Sequence, residues 1–180
     1  MKKMIIFMLS AVMVLSLAAC ANKAGQTSAD LEIPNPYTEC ETMEDAVKLV
    51  GFNMIIPDVI GNLEKNIIRI EDENKMIEVI YGSEDEKIVI RKAIGMEDIS
   101  GDYTKYSESN TISVENLQVI MQGNDGKVNL ATWQINGYTY SIGAYGESGI
   151  SSTTMIDLIS QIDKTSEYLP LDISLDVHND

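Results

Sequence analysis

The sequence predicts an α+β domain: an antiparallel meander sheet of about six to seven strands, with an N-terminal and a C-terminal helix packed on one face. Three observations predict it. Two segments with apolar residues at helical spacing bracket the domain, and short β-type runs fill the space between them. Two tight turns then direct three of those runs onto one common face.

The first helix starts at Thr42, whose hydroxyl can accept from an unpaired N–H of the first turn. Glu44 and Asp45 suit the positive end of the helix dipole. Met43, Ala46, Val47 and Val50 recur at i, i+3, i+4 and i+7, and Gly51 supplies the stop. A β-type run over residues 52–56 ends at Pro57. Runs over 66–71 and 75–81 flank the turn Asp72-Glu73-Asn74, and 87–93 follows the turn around Gly82-Ser83-Glu84-Asp85. Ile77, Val79 and Tyr81 share one face, with Glu78 on the other. After a polar loop over 95–110, strands resume at 111–122, 127–135 and 138–144.

Register follows from the turns. Asn136-Gly137 reads as a two-residue type I′ loop, which pairs Ile135 with Tyr138, Trp133 with Tyr140 and Ala131 with Ile142. Asn124-Asp125-Gly126 suits a three-residue loop closed by a glycine bulge. It places Leu117, Val119 and Met121 on the face of Ala131 and Trp133. The last helix spans 152–163, capped by Ser151 or Ser152, with Met155, Leu158, Ile159 and Ile162 on one stripe. It is expected across the aromatic face of the sheet, with the first helix nearby. Beyond it, Ile173, Leu175 and Val177 alternate in an acidic tail that suits either an edge strand or no fixed structure.

Location is read from the N-terminus. Lys2-Lys3, an apolar run from Met4 to Leu17, and then Leu17-Ala18-Ala19-Cys20 form a secretory signal of the kind that ends on a lipid-modified cysteine. The apolar run falls short of the roughly 20 residues that cross a bilayer. The expected organisation is a signal peptide over 1–19, an acylated Cys20 with a flexible tether over 20–37, one domain over 38–165 and an acidic tail over 166–180. Each buried methylene of an acyl chain contributes about 0.8 kcal/mol, so two chains hold a domain firmly. The expected place is the extracytoplasmic face of the cell membrane, and the membrane is the first partner.

Charge narrows the other partners. The 180-residue chain carries a formal charge of −15, and loss of residues 1–19 leaves 11 basic against 28 acidic side chains, or −17. Such a surface repels phosphate backbones, which excludes nucleic acid, and it repels anionic headgroups. A cell-envelope protein, a basic peptide or a cationic polymer suits it, and solubility alone is the plainer reading. Cys40 has no intramolecular thiol partner once Cys20 is alkylated.

The inventory of reactive groups excludes much. His178 is the only histidine, so Ser-His-Asp, Cys-His and histidine–zinc sites lack their members, and no catalytic residue is expected. Gly146-Glu147-Ser148-Gly149 lacks the spacing of a nucleophile elbow and reads as a turn. Arg69 and Arg91, the only arginines, lie in expected strands and are assigned to surface acids. The candidate ligand site is the loop from Ile94 to Tyr106, too long for a simple hairpin, with Asp98, Asp102, Tyr103 and Tyr106 as its binding residues. In a meander the Glu71-Asp72-Glu73 turn and the Asn136-Gly137 tip lie at the same end. Asp72, Asp98 and Asp102 could there offer oxygens to calcium, the one cofactor considered. The tyrosines could instead stack on a sugar or pack a peptide. Against both stands the plain reading: the aspartates cap local turns and the tyrosines cover the sheet edge.

Several motifs occur in order: Met43-Glu44-Asp45-Ala46, the step from Val50-Gly51-Phe52 to Pro57, Arg91-Lys92-Ala93, Asp98-Ile99-Ser100-Gly101-Asp102-Tyr103, and Val128-Asn129-Leu130-Ala131-Thr132-Trp133. Over about residues 40–163 they resemble an uncharacterised family of small secreted lipoproteins of low-GC Gram-positive bacteria. The chain is also similar to domains of unknown function outside the membrane in some anti-sigma and envelope regulators. The resemblance implies location and fold and carries no catalytic residue. The expected function is a lipid-anchored binding or sensor domain without catalytic activity. A carrier or chaperone for an apolar envelope ligand is the alternative, and a small secreted hydrolase ranks third.

Overall fold

The main sheet holds nine strands, and its order departs from a simple meander. The computed structural model describes residues 35–73, 75–146 and 149–162. The leader, Cys20, most of the tether, Asp163 and the acidic tail lie outside the described residues. In chain order the elements are β1 (Tyr37–Cys40), α1 (Met43–Val50), β2 (Val59–Ile60), β3 (Leu63–Glu71), β4 (Met76–Gly82) and β5 (Lys87–Ile94). Then come β6 (Glu108–Val114), β7 (Leu117–Gly123), β8 (Lys127–Val128), β9 (Leu130–Ile135), β10 (Tyr138–Tyr145), β11 (Ile150–Ser151) and α2 (Ser152–Gln161).

Neighbours across the sheet run β1-β3-β4-β5-β10-β9-β7-β6, with β2 paired to β3; β8 and β11 form a separate two-stranded ladder. The correction to the meander falls between β5 and β6. β5 pairs with β10, and the loop after it crosses to β6 at the far edge. Burial explains the choice. β10 is buried on both faces from Thr139 to Ala144, whereas the polar β6 leaves Ser109, Asn110 and Thr111 exposed, as an edge strand can.

The register derived from the Asn136-Gly137 turn is the one observed; a three-residue loop at 124–126 would pair Val119 with Ala131, and the observed ladder is shifted from that by two residues, which keeps the same face. Ile135 faces Tyr138, Trp133 faces Tyr140 and Ala131 faces Ile142, with Asn136 at φ 52° and Gly137 at φ 81°. Val119 pairs with Trp133 and Met121 with Ala131. The loop after β7 carries Asp125 at φ 52° and Gly126 at φ 72°; Lys127 and Val128 then turn aside to pair with β11 before the ladder resumes at Leu130. Two expected strands are corrected. Residues 111–122 are a hairpin, β6 and β7, turned at Glu115 with φ 51°. Residues 52–56 join no ladder. Their apolar side chains cover the sheet crosswise: Phe52 meets Tyr138 edge-on at 5.2 Å, while Tyr81 donates to the Pro57 carbonyl and Lys92 to that of Asn53.

Both helices carry their expected signals. Thr42 accepts from the Asp45 N–H at 3.2 Å, and Gly51 ends α1 at φ 85°. Ser151 accepts from the Thr154 N–H at 3.0 Å, and α2 buries Met155, Leu158 and Ile159. The helices feed one core but do not lie side by side: α1 packs on β1, β3 and β4, and α2 beside β6, β8 and β11. Between them the 52–57 segment closes over the middle. Beneath it are Val79, Ile90, Ile142, Val119 and the stacked Trp133–Tyr140 pair, with ring centroids 5.1 Å apart. Full burial of side chains of this size is worth about 1.5–3 kcal/mol each.

Candidate functional site

The sheet's second face is polar at its centre, and register puts it there. Glu78 on β4 lies opposite Arg69 on β3 and Arg91 on β5, so all three project from the same side. Glu78 is fully buried, and its two carboxylate oxygens accept from Arg69 Nε and Arg91 Nε at 2.5 Å each. A carboxylate held between two guanidiniums has its desolvation offset on both sides. Tyr37 on β1 roofs Arg69, whose guanidinium carbon lies 3.9 Å from the ring centre. The expectation that the arginines pair with surface acids is therefore corrected: they share one buried acid, Glu78.

Over this cluster lies the loop between β5 and β6. Arg91 Nη1 donates to the Ser100 carbonyl, and Gly101, at φ 59°, comes close above the guanidinium. The loop is coiled by its own short side chains. Asp98 accepts from the Ser100 N–H at 2.8 Å, Ser100 Oγ accepts from the Asp102 N–H at 3.2 Å, and Asp102 accepts from the Thr104 N–H at 2.8 Å. The Tyr106 hydroxyl closes the set, donating to Asp102 at 2.6 Å. One end is tied where Thr139 donates to the Gly95 carbonyl and Gln134 to that of Met96. The other is tied where Ser107 donates to Asn124.

These contacts set the protonation of the loop. Burial works to raise the Asp102 carboxyl, but hydrogen bonds from Tyr106 and Thr104 and the charge of Arg91 outweigh it and hold the group below its ordinary range. Burial and the neighbouring Asp102 push the Tyr106 phenol up to about 12. Tyr145 is also raised, by burial first, with its hydrogen bond to Arg91 acting in the opposite direction. Its ring lies back over Gly143, where a Cβ would stand 2.5 Å from Tyr145 Cε2. Ser141, between Arg91 and Thr132 in register, is buried with no hydrogen-bond partner for its hydroxyl. Cys40, at the β1 end, is half-buried, and burial with the nearby Asp45 raises its thiol.

Two hollows flank the loop. The first, about 990 Å³, lies where the β3–β4 turn meets the end of β5, between Glu71, Glu73 and Met76 on one side and Met96, Asp98 and Tyr103 on the other. The second, about 790 Å³, opens on the other side over Thr132, Gln134 and Ile120. The four expected binding residues thus fall in one loop. Asp98 and Tyr103 border both hollows and Asp102 the second. Tyr103 is 93 % exposed, while Tyr106 is half-buried and turned to Asp102. The acidic turn does reach the loop, through Glu71 and Glu73; Asp72 instead pairs with Lys75 at 2.5 Å. Among the described residues no three Asp, Glu, His or Cys side chains gather as metal ligands, and Asp98 and Asp102 are engaged by backbone N–H groups.

Glu78 is the residue that the sequence reading missed. Its signal was present: the turns at 72–74 and 83–86 set the registers that bring it between the only two arginines. No family model matches the chain, and no curated protein or solved structure is significantly similar to it.

Proposed function

We propose that this chain is a lipid-anchored binding domain without catalytic activity, held through Cys20 at the outer face of the cell membrane, and that the 95–107 loop with its flanking hollows is its binding surface. The observation that carries the binding half is where the exposed apolar side chains lie. Of the seven large hydrophobic residues exposed among the described residues, Ile94, Met96 and Tyr103 border the first hollow and Ile120 the second. Apolar surface gathered beside a hollow favours a partner over solvent. The location half rests on the leader ending in Leu17-Ala18-Ala19-Cys20. A carrier would need an unfilled apolar cavity, and the space between sheet and helices is occupied by Trp133, Tyr140, Tyr81 and the residues around them.

The test uses cells making the full chain with an alkyne-labelled fatty acid in the medium. Wild type takes up label and sediments with membranes, and Cys20→Ser does neither. A photocrosslinking residue at position 103 yields a discrete adduct, whereas one at position 49, on the exposed side of α1, does not. An unlabelled wild-type protein would overturn the location, and equal crosslinking from both positions would overturn the binding surface.

A further inference from the structure

We infer that the first hollow is a docking groove for an extended basic peptide segment, in which apolar side chains of the partner meet Ile94, Met96 and Tyr103 while its lysines or arginines face the acidic rim. The inference rests on the proposed binding function and names the chemistry of the partner. The groove has the capacity of a site for several residues, not for one ion: it measures about 990 Å³ and lies open along the loop. Its apolar lining is not a stray exposure. Ile94, Met96 and Tyr103 are 56, 62 and 93 % exposed and stand together, whereas Leu49, Ile55 and Val59 are scattered elsewhere.

Charge complementarity selects the occupant. The exposed Glu73, Glu97 and Asp98, with the buried Glu71 behind them, line the groove against one base, Lys75, and the ammonium of Lys75 already lies 2.5 Å from Asp72. The lining is therefore strongly negative, on a chain whose overall charge is also negative. An acidic segment would meet repulsion from the exposed Glu73 and Glu97, a neutral one would gain the apolar contacts alone, and a basic one gains both. Exposed tyrosine and methionine suit such a partner further. The Tyr103 ring offers a face to a cation, and methionine adapts to differing apolar side chains.

The experiment uses the full chain from residue 20 with Cys20→Ser, which leaves it unacylated, and two fluorescein-labelled decapeptides. One alternates lysine with leucine and the other glutamate with leucine. Fluorescence anisotropy is read in 50 mM and 300 mM salt. Saturable binding of the lysine peptide is expected, weakening at least threefold at the higher salt, with none of the glutamate peptide. Glu73→Lys with Glu97→Lys, both exposed, should weaken binding at least tenfold, and Tyr103→Ala at least threefold. Glu84→Lys with Asp85→Lys makes the same change of charge at the opposite end of β4, roughly 20 Å away by strand rise. That pair should change binding less than twofold. Unaltered Trp133 fluorescence in each variant certifies the fold.

Equal weakening by the distant pair would reduce the effect to general attraction and overturn the groove. Binding of both peptides, or of neither, would overturn the chemistry, including the case in which the chain's own N-terminal segment fills the groove. Self-association lost in the groove variants, without peptide binding, would make the surface an interface between copies and overturn the inference as well. These outcomes are separable from the cellular test. A discrete crosslink at position 103 without lysine-peptide binding removes this inference alone, and peptide binding without fatty-acid labelling removes the location alone.

Discussion

Replacing Glu78 by glutamine keeps the shape of the side chain and removes its charge. The carboxylate is fully buried, and the two arginine side chains facing it are 24 and 13 % exposed, so when the pairing is broken Glu78 and Arg91 stay away from solvent and Arg69 reaches it only in part. The amide oxygen can still accept from one guanidinium, but its NH₂ faces the other, donor against donor. Breaking a buried ion pair from one side costs about 3–5 kcal/mol, and the partial exposure of Arg69 with the surviving acceptor puts this case near 3 kcal/mol. At about 1.4 kcal/mol per decade, that is on the order of a hundredfold in the unfolding constant. Urea unfolding followed by the fluorescence of Trp133, the single tryptophan, measures it directly. With a slope of about 1–3 kcal/mol per molar, the midpoint should fall by at least about 1 M with the slope unchanged. A loss below about 1 kcal/mol would refute the reasoning, because it would mean that the arginines do not depend on that charge.

Gly143→Ala should cost about 1–3 kcal/mol, since the new methyl would collide with the Tyr145 ring; the penalty should shrink by more than half in a Tyr145→Ala background, as a double-mutant cycle by urea unfolding will show. Tyr106→Phe removes a hydrogen bond that depresses the Asp102 carboxyl, so its pKa should rise toward the ordinary carboxylate value in a carbon-detected NMR titration. A depressed carboxyl adds stability above its unfolded pKa and loses it as pH falls through the folded one, so this part of the variant's deficit should fade as the pH is lowered through the Asp102 transition. The wild-type Tyr106 phenol has the opposite sign: with its pKa at about 12, its contribution is complete below about pH 10 and is lost above that, visible as phenolate absorbance. Thr42→Ala should cost about 1 kcal/mol and speed amide exchange in the first turn of α1, because Thr42 both accepts from the Asp45 N–H and donates to its carboxylate.

What was legible in the sequence depended on turns and periodicity. Asn136-Gly137 set one register, and the parity of the Asn124-Asp125-Gly126 loop kept Leu117, Val119 and Met121 on the core face even though Lys127 and Val128 leave the ladder. The hairpin at Glu115 was hidden because no glycine marks it, so β6 and β7 read as one strand. The 52–56 run misled because apolar residues that cover a core look like those that line one. β1 was concealed by its four-residue length beside the proline-punctuated tether. The place of β10 was beyond local reading: a 13-residue connection such as 95–107 reaches up to about 45 Å, far more than the four strand spacings it crosses. The loop itself was visible by its length and composition, and its aspartates do cap local turns. The charge cluster beneath it was not, because its three members come from three strands and meet only once both registers are combined.

The position of β10 has a consequence for how the chain acquires its shape. β3 to β5 can zip into one ribbon and β6, β7 and β9 into another, yet each is left with a bare hydrogen-bonding margin that only residues 138–145 can fill. A chain emerging N-terminus first therefore carries two unfinished halves until almost the whole domain has been made. A stop placed before Tyr138 should leave sticky, aggregation-prone ribbons with no native partner, and the final hairpin acts as the keystone that locks them into one sheet.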